Sequence, residues 1–321
     1  MTIERIRAAS ERLARHARVT PLLSSPFLDE IADRRVLIKA ECLQHTGSFK
    51  YRGARAALSA LDTQTLSRGV IAFSSGNHAQ GVARAAQELA APAVIVMPSD
   101  APALKIANTR ALGAEVVLYD RATEDRNAIG AELAATRGLT LVKPFDDPEV
   151  IAGQGTCGLE IAEQARARGI TEAEVLVCCG GGGLSAGIAL ALEAEAPGLR
   201  LRTVEPEGFD DVARSLAAGE ITPHGRPEAG LCDAVLTPAP GTLTFPVLAR
   251  LAGPGLAVSD TDVLHAMALA FQRLKVVAEP GGAVALAAAL FSPEVEADTV
   301  IVTISGGNVE ASVFARALET L

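Results

Sequence analysis

Val175-Leu176-Val177-Cys178-Cys179-Gly180-Gly181-Gly182-Gly183-Leu184-Ser185-Ala186-Gly187 reads as a buried strand, four glycines and the opening of a helix. Its apolar flanks make the glycine run a tight connection rather than a flexible tether. A backbone without Cβ atoms can approach an anion closely, and the first N–H groups of a helix favour one. Outward from this stretch the same alternation recurs. Short β-rich runs lie at Val36–Ala40, Gly69–Phe73, Ala93–Met97, Glu115–Tyr119 and Leu139–Val142, then at Glu174–Val177, Leu199–Val204 and Thr299–Ile304. Alanine-rich stretches such as Gln80–Leu89 separate them. This is the pattern of an α/β chain whose parallel-rich sheets are flanked on both faces by helices. A dinucleotide turn is the rival reading of the glycines. Gly181, Gly183 and Gly187 nearly fit it, and Glu205 ends a strand about twenty residues on. That reading would make the chain a nicotinamide (NAD-dependent) oxidoreductase.

A chain of 321 residues can bury a large core, as two domains or as one large α/β domain. It is 49% hydrophobic and only 3% aromatic, with no Trp. A net charge of −9 argues against a nucleic-acid or anionic-membrane partner, since either needs a basic face. Five cysteines (Cys42, Cys157, Cys178, Cys179 and Cys232) form no pattern, as expected of buried thiols in a reducing, cytoplasmic setting. The opening Met1-Thr2-Ile3-Glu4-Arg5-Ile6 reads as a charged amphipathic helix rather than a secretory signal, and no apolar run reaches membrane length.

Thr46-Gly47-Ser48-Phe49-Lys50-Tyr51-Arg52-Gly53 places one lysine beside an aromatic residue and a glycine approach. Burial there would lower the Lys50 pKa from about 10.4 and free its amine for Schiff-base chemistry with a carbonyl cofactor. Ser74-Ser75-Gly76-Asn77-His78 follows a strand and opens a helix, which suits a carboxylate or phosphate, although an ordinary helix cap reads the same way. Ser305-Gly306-Gly307-Asn308 ends another strand, where open α/β sheets bind ligands. Glu279-Pro280-Gly281-Gly282 is a similar loop entering an alanine-rich helix.

Taken in order, Gly47–Gly53, Ser75–His78, Val150–Thr156, the four glycines and Ser305–Asn308 resemble the fold-type-II pyridoxal-phosphate enzymes. The likeness is to the branch of serine/threonine dehydratases, serine racemases and hydroxyaspartate dehydratases. The resemblance implies a two-domain, tryptophan synthase β-like α/β fold. Residues 1–50 and 147–321 would form a large cofactor-binding domain, and 51–146 a small mobile one. It implies pyridoxal 5'-phosphate held by Lys50 as an internal aldimine. Asn77 would meet the ring hydroxyl, Gly180, Gly181, Gly182, Gly183 and Leu184 the phosphate, and Ser305 the ring nitrogen. Phe49 and Glu279 would complete the surroundings. Ser75, Gly76, Asn77 and His78 would bind the substrate.

The implied activity is a hydroxy-amino-acid ammonia-lyase, a dehydratase of serine, threonine or 3-hydroxyaspartate. A serine or aspartate-type racemase using Lys50 and Ser75 on opposite faces is the alternative. Glu205-Pro206-Glu207-Gly208-Phe209-Asp210-Asp211 resembles the divalent-cation site of the same branch. Glu205, the Phe209 carbonyl and Asp211 would be ligands for Mg²⁺, Ca²⁺ or Mn²⁺. The partners expected are a small amino-acid substrate and a second copy of the chain in a homodimer. His45 and Lys143 depart from residues usual beside these motifs, and Arg126 could meet a second substrate carboxylate. With the chain ending at Leu321, inhibition by isoleucine is not expected.

Overall fold

Every apolar run named above becomes a strand, and two shorter strands join them. The computed structural model describes residues 1–74, 76–101, 103–226 and 229–321, leaving the side chains of 104 and 127 undescribed. Ten strands form among these residues: β1 (Leu22–Ser24), β2 (Arg35–Ala40), β3 (Val70–Phe73), β4 (Ala93–Pro98), β5 (Glu115–Tyr119), β6 (Thr140–Leu141), β7 (Ala173–Cys178), β8 (Leu199–Pro206), β9 (Leu256–Val258) and β10 (Thr299–Ile304). Six make one sheet in the order β1-β2-β10-β7-β8-β9, and four make another in the order β5-β4-β3-β6. Only β1 and β2 pair antiparallel; every other ladder is parallel. The smaller sheet draws all its strands from residues 70–141, within the span expected of the small domain.

Side chains on a strand alternate between faces, so a strand covered on both sides reads as an unbroken apolar run. In the larger sheet Val36, Ile38, Leu176, Cys178, Val300 and Val302 enter one core, around the helix Pro280–Phe291. Leu37, Val175, Val177, Cys179 and Ile301 enter the opposite core with the helices Pro148–Arg166 and Gly183–Glu195. The smaller sheet divides in the same way: Val70, Ala72, Ile95 and Met97 face one core, Ile71, Val94 and Val96 the other.

The Val150–Thr156 motif serves packing. It lies inside the helix Pro148–Arg166, and its glycines let other backbones touch it. A Cβ at Gly153 would lie 2.6 Å from the Arg52 carbonyl oxygen, and one at Gly155 would lie 2.9 Å from that of Gly187. One at Gly158 would lie 2.8 Å from the Ala191 Cβ. The helix therefore contacts both the helix that starts at Lys50 and the helix that follows the glycine loop. Gln154 adds a polar tie by accepting the Gly53 N–H at 3.1 Å.

Beside these contacts lies a buried, charge-balanced set. Arg52 Nε and Nη2 donate to the two oxygens of Glu41, both at 2.8 Å, and Nη1 and Nη2 donate to Glu160 at 2.7 and 2.9 Å. Lys39 Nζ donates to Glu160 at 2.5 Å and to the Thr20 carbonyl at 2.7 Å. Lys39, Glu41 and Arg52 are each at most 1% exposed. Burial pushes the Glu41 carboxyl up, and the Arg52 guanidinium more than offsets this and holds it below the usual range.

Replacing Arg52 with Leu leaves Glu41 and Glu160 with too little compensating charge. The expected cost is about 3–5 kcal/mol of stability, read from denaturant unfolding. A loss under about 1 kcal/mol would show that this set behaves as surface ion pairs do.

Candidate active site

The parallel strands deliver their following loops to one side. β2 leads to the Lys50 approach, β7 to the four glycines and β10 to Ser305, all at the carboxyl edge of the larger sheet, where open α/β sheets bind ligands. From the smaller sheet, β3 leads to Ser74, Gly76 and the helix Asn77–Glu88. These loops enclose a cavity of about 450 Å³. Phe49, Lys50, Gly76, Asn77, His78, the four glycines, Leu184, Glu279 and Ser305 all line it. Ser75 lies outside the described residues.

The Lys50 and Ser305 loops are stitched together by backbone. Phe49 N–H donates to the Ser305 carbonyl at 3.1 Å, Gly307 N–H to that of Gly47 at 2.9 Å, and Glu279 N–H to that of Gly306 at 3.0 Å. Lys50 begins its helix, and its Nζ donates to the Pro144 carbonyl at 2.8 Å. Burial lowers its pKa to about 8, with the Glu279 charge acting the other way. Burial raises the Glu279 carboxyl to about 7, against the bond it accepts from Asn77.

His78 is buried with Nε2 2.9 Å from the Val142 carbonyl. Burial, then the charge of Lys50, lowers its pKa to about 3. The ring is neutral at ordinary pH, and Nε2 must carry the proton to meet a carbonyl. Through that bond the ring ties the turn to the strand-end at Val142.

The 180–183 loop is closely packed on its flanks, most tightly at Gly181 and Gly182. A Cβ at Gly181 would lie 2.4 Å from the Phe145 ring, and one at Gly180 or Gly182 would lie 2.9 Å from the hydroxyl of Thr237 or Thr244. Gly182 also sits at φ +87°, where an L side chain is strained. The Gly181 carbonyl accepts from Thr244 Oγ1 at 2.7 Å and from the Gly241 N–H at 3.1 Å. The loop is thus held from behind, with the start of a 13-residue helix at its end.

Phe145, Lys105 and Asp233 also belong to the cavity and were not singled out from the sequence. Lys105 Nζ donates to Asp233 Oδ2 at 3.3 Å. The Lys143-Pro144 pair, noticed as a departure from the usual pattern, was the available pointer to Phe145. Arg126 is exposed and lies on the cavity wall. His45 packs its ring 4.9 Å from that of Tyr51.

Glu205, Phe209 and Asp211 do not line this cavity. Glu205 ends β8, and its carboxylate accepts the N–H groups of Val212 and Ala213 at 2.9 and 2.8 Å. Asp211 is buried, with both carboxylate oxygens unpartnered among the described residues. No cluster of three or more His, Cys, Asp or Glu side chains with metal-binding geometry occurs among the described residues. No described helix is long and apolar enough to cross a membrane.

A family model described as pyridoxal-phosphate dependent enzyme matches residues 13–306. L-threo-3-hydroxyaspartate ammonia-lyase of a Pseudomonas species is 45% identical over 312 residues, covering 97% of this chain and 96% of that protein. The Saccharomyces cerevisiae protein of the same name is 41% identical over 308 residues, covering 96% and 93%. The solved structure of maize serine racemase superposes with a TM-score of 0.91 at 36% identity, covering 99% of this chain and 97% of that one.

Burial disfavours the ammonium, so Lys50 is a neutral amine above about pH 8. Competitive acylation of the cofactor-free protein should label Lys50 with a midpoint near that pH. A midpoint at the usual lysine value of about 10.4 would remove the argument for a tuned amine.

Proposed function

This chain belongs to the family of pyridoxal-phosphate dependent enzymes, and from that premise we propose an ammonia-lyase that converts L-threo-3-hydroxyaspartate to a 2-oxo acid and ammonia. The observation that carries the chemistry is Lys50, an amine released by burial at the edge of a cavity that ends in a glycine-lined anion cradle. The substrate follows the two ammonia-lyases matched along nearly the whole chain.

The residues present fit the cofactor. The glycine loop has no room for side chains and offers N–H groups at a helix start, as a phosphate needs. Asn77 and Ser305 line the same cavity as Lys50. When bound, pyridoxal phosphate would supply an electron sink, a mild one where Ser305 would meet its ring nitrogen with a hydroxyl and not a carboxylate.

In this reading Lys50 Nζ takes the proton from the substrate α-carbon as general base, and the resulting ammonium returns it to the departing β-hydroxyl, which leaves as water. The enamine released in this way tautomerises and hydrolyses to the 2-oxo acid and ammonia. Gly76 N–H is taken by Ser74 Oγ at 3.1 Å, so the helix start at Asn77 would offer the N–H groups for the α-carboxylate, and neutral His78 holds that turn to Val142. Serine racemisation on the same site is the second reading, favoured by the likeness to maize serine racemase. Ser75 would serve the opposite face.

Arg126 supports the choice of a dianionic substrate, because it places a cation on the cavity wall, whereas the Lys105 charge there is met by Asp233. Arg126→Ala should raise KM for L-threo-3-hydroxyaspartate about tenfold or more while changing KM for L-serine little, a steady-state comparison. Equal shifts for the two substrates would sink the assignment of Arg126. No turnover of hydroxyaspartate by the unaltered enzyme would sink the substrate.

A divalent cation at Glu205, Asp211 and the Phe209 carbonyl belongs to the same reading. Its support is the unpartnered, buried Asp211 carboxylate close to a second buried carboxylate. Burial raises Asp211 to about 7, so the folded protein keeps this proton over a range where the unfolded chain has lost it. Without a cation, stability should fall as pH rises from about 4 to about 7. A bound cation should remove that loss and raise the melting temperature, by about 2.7 kcal/mol of stability at a hundredfold excess over Kd. Chelator shifting the wild type and Asp211→Ala equally, or neither, would leave the loop as a plain turn.

We also propose the expected homodimer. Phe27 and Phe271 are 53% and 43% exposed. Arg273 lies 4.7 Å from the Phe27 ring, and Phe314 lies 5.5 Å from that of Phe271. An exposed aromatic face of this kind suits a second copy.

A further inference from the structure

One backbone carbonyl settles the orientation of two side-chain amides. The Thr46 oxygen can only accept, so the Asn308 atom that meets it at 2.7 Å is Nδ2. The other Nδ2 hydrogen reaches Asn77 at 2.7 Å, and its partner there must be Oδ1. Asn77 Nδ2 is left facing Glu279 Oε1 at 2.5 Å. Turning either amide over would set acceptor against acceptor, so the directions are fixed by the network itself.

The loops are shaped around this chain of bonds. Thr46 takes φ 59° and Gly47 φ +75°, both in the left-handed region. A Cβ at Gly47 would lie 2.6 Å from Asn308 Oδ1, and one at Gly306 would lie 1.9 Å from Glu279 Oε1. Asn308 does not itself line the cavity, whereas Asn77 and Glu279 do.

We infer that Asn308 is a positioning residue for the cofactor: by occupying Asn77 Oδ1, it leaves the second Asn77 N–H as the group offered to the cavity. Asn77 then meets the cofactor's ring oxygen as a donor and favours that oxygen as an anion. An Asn77 free to turn would present its own oxygen part of the time and repel the same atom. This rests on the reading of Asn77 as the residue that meets the ring oxygen.

The test is titration of the cofactor-free protein with pyridoxal phosphate. Affinity, the visible absorption band and the pH dependence of that band are followed for Asn77→Ala, Asn308→Ala, the double variant and Asn308→Asp. Asn308→Ala should weaken binding about tenfold, near the worth of one hydrogen bond, and move the band in the same sense as Asn77→Ala. The double variant should bind no more weakly than Asn77→Ala alone, because Asn308 acts only through Asn77. Asn308→Asp, matched in size but accepting where Asn308 donates, should weaken binding further. It also supplies the comparison if the alanine variant does not fold. Losses that multiply in the double variant would overturn the inference, as would wild-type affinity and spectrum in Asn308→Asp. An unchanged Asn77→Ala would overturn the underlying reading of Asn77, and this inference with it.

Discussion

The pairing of Arg52 with Glu41 and Glu160 is the constraint on which the site depends. Arg52 stands two residues after Lys50 on the same helix. Glu41 leaves the end of β2, and Glu160 belongs to the helix Pro148–Arg166. Four charge-assisted bonds from Arg52 therefore tie the first turn of the lysine helix to the sheet and to its neighbouring helix, and a fifth, from Lys39 to Glu160, ties the sheet to that helix. Buried charges add little net stability over apolar packing of the same volume, but they tolerate only one arrangement. What they contribute is register: they hold the helix that carries Lys50 in one place against the sheet.

Much of the fold was legible because both faces of the central strands are covered. Val300-Ile301-Val302 and Val175-Leu176-Val177 are unbroken apolar runs for that reason, and such runs announce themselves. β1 and β9 did not, since three residues at a sheet edge are too short to carry a period. The glycine loop, the Lys50 approach and the Ser305 turn were legible as strand-to-loop transitions. Sequence reading could not tell that Val150–Thr156 acts by packing, because a helical glycine looks the same whether a ligand or another backbone approaches it. Phe145, Lys105 and Asp233 were hidden for a different reason. Each reaches the cavity from a segment without a motif of its own, and only the fold brings them there.

The glycine loop and the Glu205–Asp211 pair handle charge with opposite logic. The glycine loop presents backbone and almost no side chains at the start of a helix, an arrangement that favours an anion without needing a mobile cation. Glu205 and Asp211 gather negative charge out of water, and burial drives their protons on. The first arrangement suits a ligand that arrives already charged. The second is unfavourable until something positive arrives.

The helix Pro148–Arg166 touches the lysine helix through Gly153 and the glycine-loop helix through Gly155. A change of even one methyl group on that face would displace both ends of the cavity at once. Sequence drift in this enzyme must therefore be lopsided. The outward face of the helix, where Glu163 and Arg166 sit, is free to vary, while its three glycines are closed to substitution. A library meant to reshape the cavity would gain most from Phe145. Its ring lines the cavity beside Gly181, so trimming it opens space without touching the helix that spans from the lysine helix to the glycine loop.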